Sequence, residues 1–398
     1  MYNKKVNEQL RTNEKEFKIY MLCWLSKGIS MTVIKNIAKD RILQVTAVLT
    51  VVSLFFARPR IQDINFHTLY SVLAMLTIIQ IFSYLHVLDV LAYKLTTSAR
   101  TTRRLTAIFT YLSVISAMFL TNDITVLTLI PLYLTIAHKH HLPEILPVTL
   151  IGMGANIGAA FTPWGNPHNI FIVNTYDVSP EKFFGWSIPL LIASLILITG
   201  LLFGVRNRPI SSVPLEDIRI SWRPTILTIL VAVFFFFGVF NIVPAYVPAI
   251  IAIVLAIFIN SKILLHLDYA LLLTFTCFFI FISDIQQVPF VVAIVQHTMF
   301  SKHSVYLTSI ISSQFISNVP STILIGKFTS FAESLFLGSN IGGFGSIIGS
   351  MANMLVFKSF AENGTVSKSR FFWVFSVLQF FGLLVLTIFG WVILDFIY

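Results

Sequence analysis

Two stretches of the chain carry asparagine and glycine at matching offsets. The first runs from Asn156-Ile157-Gly158 to Gly165 and Asn169, the second from Asn340-Ile341-Gly342 to Gly349 and Asn353. The copies lie 184 residues apart, and 13 residues separate first and last asparagine in both. Amide side chains offer donors and acceptors without charge, and glycines permit positive φ and close backbone approach. Both stretches are embedded in apolar sequence, where irregular backbone is tolerated only inside protein or around a cavity. Paired broken helices of this kind are where secondary transporters hold their cargo. The chemistry to expect is coordination of a small solute rather than bond cleavage.

Two further interruptions supply matching partners. Thr121-Asn122-Asp123 sits between apolar runs 105–120 and 124–134, and Ser317-Asn318-Val319-Pro320 divides 304–331. These runs suit a re-entrant hairpin better than two crossings. Each tip would expose helix-end amides, which attract anions, and free carbonyls, which suit sodium or a protonated group. Around the first break, Asn156, Gly158, Thr162, Pro163, Gly165, Asn166 and Pro167 are candidate ligands or backbone breakers, the prolines by removing helix donors. Around the second, Asn340, Gly342, Gly343, Ser346 and Asn353 take the same parts. A sodium ion is expected near Asn122, Asn156, Asn318 and Asn340 if sodium is the coupling ion. Asp123 is either an ion-handling acid facing a cavity or an N-cap for the helix from residue 124. Asp284 and His86 read as capping or snorkelling groups at span ends, Lys327 as a surface charge or a cavity charge, and Gln314 as a further cavity residue.

The elements that must position these residues follow from composition. Of 398 residues, 56% are hydrophobic and 11% charged, against about 25% charged in a soluble domain. Runs 186–205, 224–243, 247–259 with its flanks and 371–397 approach or exceed the roughly 20 residues that cross a bilayer. The chain therefore reads as an all-α polytopic membrane protein. Its net charge of +10 falls mostly between apolar runs, as cytoplasmic loops require, so nucleic acid is not an expected partner. Cys23 and Cys277 form no disulfide or metal pattern, and no cleavable signal peptide is visible in the polar, basic first forty residues.

The order span, span, interrupted hairpin, broken helix, span occurs twice. It gives a basic cytoplasmic segment 1–40, repeat 1 at 41–205, a cytoplasmic loop and linking span at 206–243, and repeat 2 at 244–398. Segment 1–40 is either an interfacial helix or a solvated tail. Four crossings plus one linking crossing turn the second repeat over, giving inverted topology with about nine full spans and two hairpins. Basic groups at the N-terminus, 94–104, 206–223 and 358–370 then share the cytoplasmic side of a multi-pass plasma-membrane protein.

Phe119-Leu120-Thr121-Asn122-Asp123 with Pro131, Thr162-Pro163-Trp164-Gly165-Asn166-Pro167, Ser317-Asn318-Val319-Pro320 and Asn340-Ile341-Gly342-Gly343 together resemble the ion-transporter superfamily. That superfamily comprises arsenite permeases, citrate-type transporters and sodium–dicarboxylate symporters. The resemblance implies two re-entrant hairpins, two unwound helices, a scaffold that often forms a homodimer, and elevator-like alternating access. Dicarboxylate symporters carry Ser-Asn-Thr at both tips. Here Asn122, Asn318 and Ser317 match, while Asp123 and Val319 depart toward the arsenite-permease and sodium/proton-antiporter branch.

The expected activity is secondary transport of a small anion or oxyanion, carboxylate-type or arsenite-like, coupled to protons or sodium, with no resident cofactor. Sodium/proton exchange and arsenite efflux are the alternatives within the class. A membrane enzyme would need a nucleophile or a metal and carboxylate constellation, and the sequence presents none. A passive channel is the remaining competitor.

Overall fold

The computed structural model describes residues 37–38, 40–55, 64–96, 99–210, 221–290, 292 and 298–396. Most of segment 1–40 and part of the 206–223 loop therefore lie outside the described residues. Within them the chain is helical, with no named strand and a single bridge between Thr101 and Pro209.

The first half contains α1 (Arg41–Ser53), α2 (Phe66–Tyr84), α3 (Val87–Thr96), α4 (Thr102–Phe119), α5 (Asn122–His140), α6 (Ile145–Phe161), α7 (Pro167–Tyr176) and α8 (Pro180–Leu202). After α9 (Trp222–Val239) follow α10 (Tyr246–Asn260), α11 (Tyr269–Ile285), α12 (Lys302–Ile316), α13 (Asn318–Gly326), α14 (Ala332–Gly342), α15 (Met351–Asn363) and α16 (Lys368–Phe396). Polar residues set the starts. Asp40, Asn65 and Asp268 accept from the amides of Leu43, Thr68 and Leu271 at 2.7, 2.9 and 3.0 Å, satisfying donors that a helix leaves open. Ser301 and Ser304 form a reciprocal box at the start of α12.

Among the described residues, five helical segments are long and apolar enough to cross a membrane: α2, α8, α9, α16, and α10 with its 3₁₀ extension to His266. The remaining expected crossings are shorter, as in α1 and α11, or split, as in α6–α7 and α14–α15. Helices α6 and α14 lie at the centre. All eleven residues of α14 are buried, as are fourteen of the seventeen in α6. Helix α6 packs most extensively on α4, and α14 on α12. Around them α1 lies along α11 and α2 along α10. The C-terminal ends of α2 and α10 meet through Asn260 Nδ2 and Tyr84 Oη at 2.8 Å.

The structure corrects several expectations. Pro131, a helix-breaking residue type within the first hairpin, does not end the helix there: α5 runs through it. The ring lines an open cavity with Leu127, so the carbonyl it displaces is not sealed in the core. Helices α4 and α5, at 18 and 19 residues, are longer than the apolar runs suggested because polar ends at Thr102–Arg104 and His138–His140 extend them. Asp284 is no snorkelling residue; it is 1% exposed and accepts from Ser53 Oγ at 2.7 Å. His86 is exposed, at φ 52°, and pairs with Asp89 at 2.9 Å.

Candidate functional site

The breaks do not fall where the asparagine-glycine pairs stand. Asn156 and Gly158 are within α6 and the chain leaves the helix at Thr162; Asn340 and Gly342 are the last turn of α14. Glycine serves contact here rather than conformation. A Cβ on Gly158 would fall on the Val114 carbonyl of α4, and one on Gly342 would come within 2.7 Å of Ser313 Oγ on α12. Among the described glycines only Gly345, in the second break, has positive φ, at 95°. Pro167 does not break a helix either; it is the first residue of α7, where its missing N–H costs nothing.

The asparagines form two crossed bonds between the halves. Asn156 Nδ2 donates to Asn353 Oδ1 at 3.0 Å, and Asn340 Nδ2 donates to Asn169 Oδ1 at 2.9 Å. Asn169 spans its own break by donating to the carbonyls of Ala159 and Thr162 at 3.2 and 3.1 Å. Asn353 does the same with Gly343 and Ser346 at 2.9 and 3.0 Å. Each acceptor is the 184-residue counterpart of the other. These carbonyls fix which end of each amide is nitrogen, since a carbonyl can only accept. The break loops are anchored alike. Thr162 Oγ1 donates to the Met118 carbonyl at 2.9 Å, and Ser346 Oγ to the Gln314 carbonyl at 3.0 Å. Gln314 therefore closes the second break, accepting from Ser346 N at 2.8 Å and donating to the Gly342 carbonyl at 2.8 Å. Trp164 Nε1 adds a bond to the Met118 carbonyl on the first side.

The tips meet this cross unequally. Asn122 Nδ2 donates to Asn156 Oδ1 at 3.1 Å and lies 3.5 Å from Ser350 Oγ, which itself donates to Asn156 Oδ1 at 3.3 Å. The equivalent oxygen, Asn340 Oδ1, instead receives His168 Nε2 at 3.2 Å. Asn318 is held by its backbone N–H to the Gly349 carbonyl at 3.0 Å, and Pro320 occupies the first turn of α13 behind it. Asn318 is 4% and Asn166 5% exposed. Asp123 is in the first turn of α5 without capping it; its Oδ1 is buried and has no hydrogen-bond partner. Four helix N-termini, those of α5, α7, α13 and α15, begin at these tips and breaks.

The structure thus brings together Asn122, Asn156, Gly343, Ser346 and Asn353, and joins Asn340 to Asn169. It leaves Thr162, Pro163 and Gly165 as loop supports and Gly158 and Gly342 as packing contacts. Three buried residues were missed. His168 and Ser350 stand beside the motif positions, and the 184-residue offset that pairs Asn156 with Asn340 also sets His168 against Ala352 and Asn166 against Ser350. Gln379, which donates to Asn353 Oδ1 at 3.2 Å, is a lone amide in the apolar stretch of α16, a signal in its own right.

A cavity of about 450 Å³ reaches the first tip, from His86 and Asp89 at one end past Thr128, Pro131 and Thr135 to Leu120 and Ile124. A larger cavity of about 560 Å³ lies between α2, α4 and α9 and is lined almost wholly by apolar residues such as Ile79, Phe119 and Phe236. It offers nothing to a polar solute. Among the described residues no group of three histidine, cysteine or acidic side chains could hold a metal ion.

A bundle of membrane-crossing helices with broken segments buried at its centre and polar side chains gathered at the breaks belongs to the class of membrane transporters. The sequence profile described as "citrate transporter" (CitMHS) matches residues 29–330, and the chain belongs to that family. The profile stops short of the second break. The uncharacterized transporter MJ0456 of Methanocaldococcus jannaschii is 27% identical over 306 residues, 75% of this chain and 82% of that protein. The inner membrane protein YbiR of Escherichia coli is 26% identical over 337 residues, 83% of this chain and 88% of that protein. The solved YdaH transporter of Alcanivorax borkumensis matches with a TM-score of 0.51 at 13% identity, covering 89% of this chain and 96% of that one. It shows the shared fold.

Proposed function

We propose that this transporter is a secondary active carrier of a small anion, carboxylate or oxyanion, coupled to protons or sodium. The carrying observation is the reciprocal pair Asn156–Asn353 and Asn340–Asn169, with the tip amide of Asn122 joined to it. Two inverted repeats, 41–205 and 244–398, explain that exchange of partners, with 206–243 as loop and linking span. Helices α4–α5 and α12–α13 are then re-entrant hairpins, and the split pairs α6–α7 and α14–α15 each count as one of nine crossings. The parallel contacts of α4 with α6 and α12 with α14 support the same pairing.

The site residues are Asn122, Asp123, Asn156, Asn166, Asn318 and Asn340, with Thr121, Ser317 and Ser350 beside them. Four converging helix N-termini favour an anion. The cavity from His86 to Ile124 is the access route from the cytoplasmic side in this conformation, with the N-terminus of the chain on that side of the plasma membrane. The scaffold of α1, α2, α10 and α11 is where a second copy would dock. Since the family description names citrate, citrate heads the compounds to test.

The unpartnered carboxylate oxygen of Asp123 favours one second reading, sodium/proton exchange. Purified protein in liposomes should accumulate labelled citrate, succinate or arsenite when a sodium or pH gradient is imposed. Absence of gradient-driven flux for all three would end the anion reading, and sodium-triggered proton flux without them would select exchange.

A further inference from the structure

The apolar cavity of about 560 Å³ between α2, α4 and α9 has no part in holding a polar solute. Its floor is Met75, Ile78 and Ile79 of α2, all buried; its mouth is Ile115 and Phe119 of α4 with Val233 of α9, all exposed. Of the lining residues only Ser116 and Trp164 bear a side-chain O–H or N–H, and Trp164 Nε1 already donates to the Met118 carbonyl. An apolar space of this kind stays dry, and left empty it forfeits the dispersion contacts of the groups around it. Hydrocarbon is the filling its walls accept.

The cavity continues beyond α2. Leu91 and Ile115 are shared with a second apolar cavity, of about 400 Å³, which runs between α3 and α4 past Leu95 and Ile108 to Arg104. Together they form one groove along α4 with a guanidinium at its end. Helix α4 is unbroken from Thr102 to Phe119, so the rise from Arg104 to Phe119 is about 22 Å. Half of a bilayer, headgroups included, is about 20–22 Å. The groove is therefore one leaflet deep. Helix α3 explains its own amphipathic pattern here: Leu91 and Leu95 face the groove, while Asp89 lines the polar cavity that reaches the first tip.

The basic end is larger than Arg104. The bridge between Thr101 and Pro209 is tied by Thr102 N–H to the Arg208 carbonyl at 2.9 Å and by Ile210 N–H to the Arg100 carbonyl at 3.1 Å. It joins the start of α4 to the segment after α8 and brings in Arg100, Arg206 and Arg208, all exposed. Arg103 has another part, donating to the carbonyls of Phe203 and Val205 at 3.2 Å each. Among the described residues no carboxylate pairs with Arg100, Arg104, Arg206 or Arg208. Arginine suits phosphate because its planar fork meets two oxygens at once.

We propose that this groove binds one anionic phospholipid, its acyl chain in the joined cavities and its phosphate on Arg104 and the neighbouring arginines. A zwitterionic lipid offers the same chain, but its own cation offsets the phosphate, so the basic end selects a net negative headgroup. A second copy of this chain fits less well. Two-fold contact sets a patch against itself, which would bring the arginines of both copies together. The chain end lies against Phe119 and Trp164, beside the first tip and the first break, and completes a wall that side chains leave open between α2 and α4. Binding of the lipid does not depend on which solute the protein carries.

Purified full-length protein in detergent, given equal amounts of phosphatidylglycerol and phosphatidylcholine, is read by native mass spectrometry. Wild type should retain phosphatidylglycerol at least about fivefold better, the factor that one basic residue near a charged headgroup supplies. Arg104→Gln, at an exposed position, should lower that preference by about fivefold. Ala232→Phe, which fills the cavity from α9, should lose the tightly held lipid. Equal retention of the two lipids by wild type overturns the proposal, as does an unchanged preference in Arg104→Gln or unchanged retention in Ala232→Phe. A dimer free of lipid in the same spectra shows that a second copy covers the groove, and refutes it too. A further measurement needs no variant: phosphatidylglycerol with a photoreactive group at the chain end, incorporated in vesicles with wild type. Crosslinks to the peptides that hold Phe119, Trp164 or Val233 support the proposal, and crosslinks only elsewhere refute it.

Discussion

Replacing Asn353 by alanine should unfold the centre of the protein more readily than any other asparagine change at the site. The side chain is fully buried and makes four bonds, to the carbonyls of Gly343 and Ser346 and from the amides of Asn156 and Gln379, at 2.9, 3.0, 3.0 and 3.2 Å. Hydrogen bonds inside membrane proteins contribute about 0.6 kcal/mol each on average, against about 1 kcal/mol in soluble proteins. The loss should therefore be about 2–4 kcal/mol, the upper part applying if the Gly343 and Ser346 carbonyls find no water. Asn318→Ala serves as the control, because among the described residues no hydrogen bond to that side chain is formed, and its loss should stay below about 1 kcal/mol. Reversible unfolding in mixed micelles, titrated with denaturing detergent, reads both values. If Asn353→Ala is as stable as Asn318→Ala, the crossed bonds do not hold the breaks and the description of the centre is wrong. If the order is as expected, transport measured on the same samples separates the roles: Asn318→Ala should abolish flux while remaining folded.

Gly158→Ala should destabilise by about 1–3 kcal/mol through overpacking, because its Cβ meets the backbone carbonyl of Val114. Gly342→Ala should cost less, since its Cβ would stand 2.7 and 2.8 Å from Ser313 Oγ and Cβ, against a closer approach to the Val114 carbonyl at Gly158; equal melting temperatures for the two would show that the α4–α6 contact yields. Asp123→Asn should shift the pH or sodium dependence of transport, and an unchanged profile would reduce Asp123 to a helix-end residue. Glu144→Ala should lower stability by about 2–3 kcal/mol, the scale of hydrogen bonds to a charged group. Glu144 accepts from the amides of Thr365 and Val366 and from the Thr365 hydroxyl, joining the start of α6 to the turn before α16. Chemical denaturation of the variant beside wild type tests it.

The helices were largely legible because burial in lipid leaves a strong compositional trace. The run 247–259 corresponds to Tyr246–Asn260 and the run 371–397 to Lys368–Phe396, each end within three residues. The breaks were legible as regions but not as positions. Asn156 and Gly158 announced an interruption that the chain defers to Thr162, because a glycine that lets α6 approach α4 looks the same in sequence as one that bends the backbone. Roles were harder still. The repeated offset marks Asn156, Asn169, Asn340 and Asn353 as equivalent, yet whether an amide faces a solute or another amide depends on partners 171–197 residues away. His168 escaped for a related reason: attention to what matches between the halves passes over the residue that differs.

The crossed asparagine bonds also carry a consequence for how the protein is made. Asn156 leaves the ribosome 197 residues before Asn353, and Asn169 171 residues before Asn340. At a synthesis rate of roughly 5–20 residues per second that gap lasts about 10–40 s. Throughout it the first half would stand in the bilayer with its polar seam unclosed, so newborn chains need either a protective insertion partner or a provisional packing that the second half later displaces.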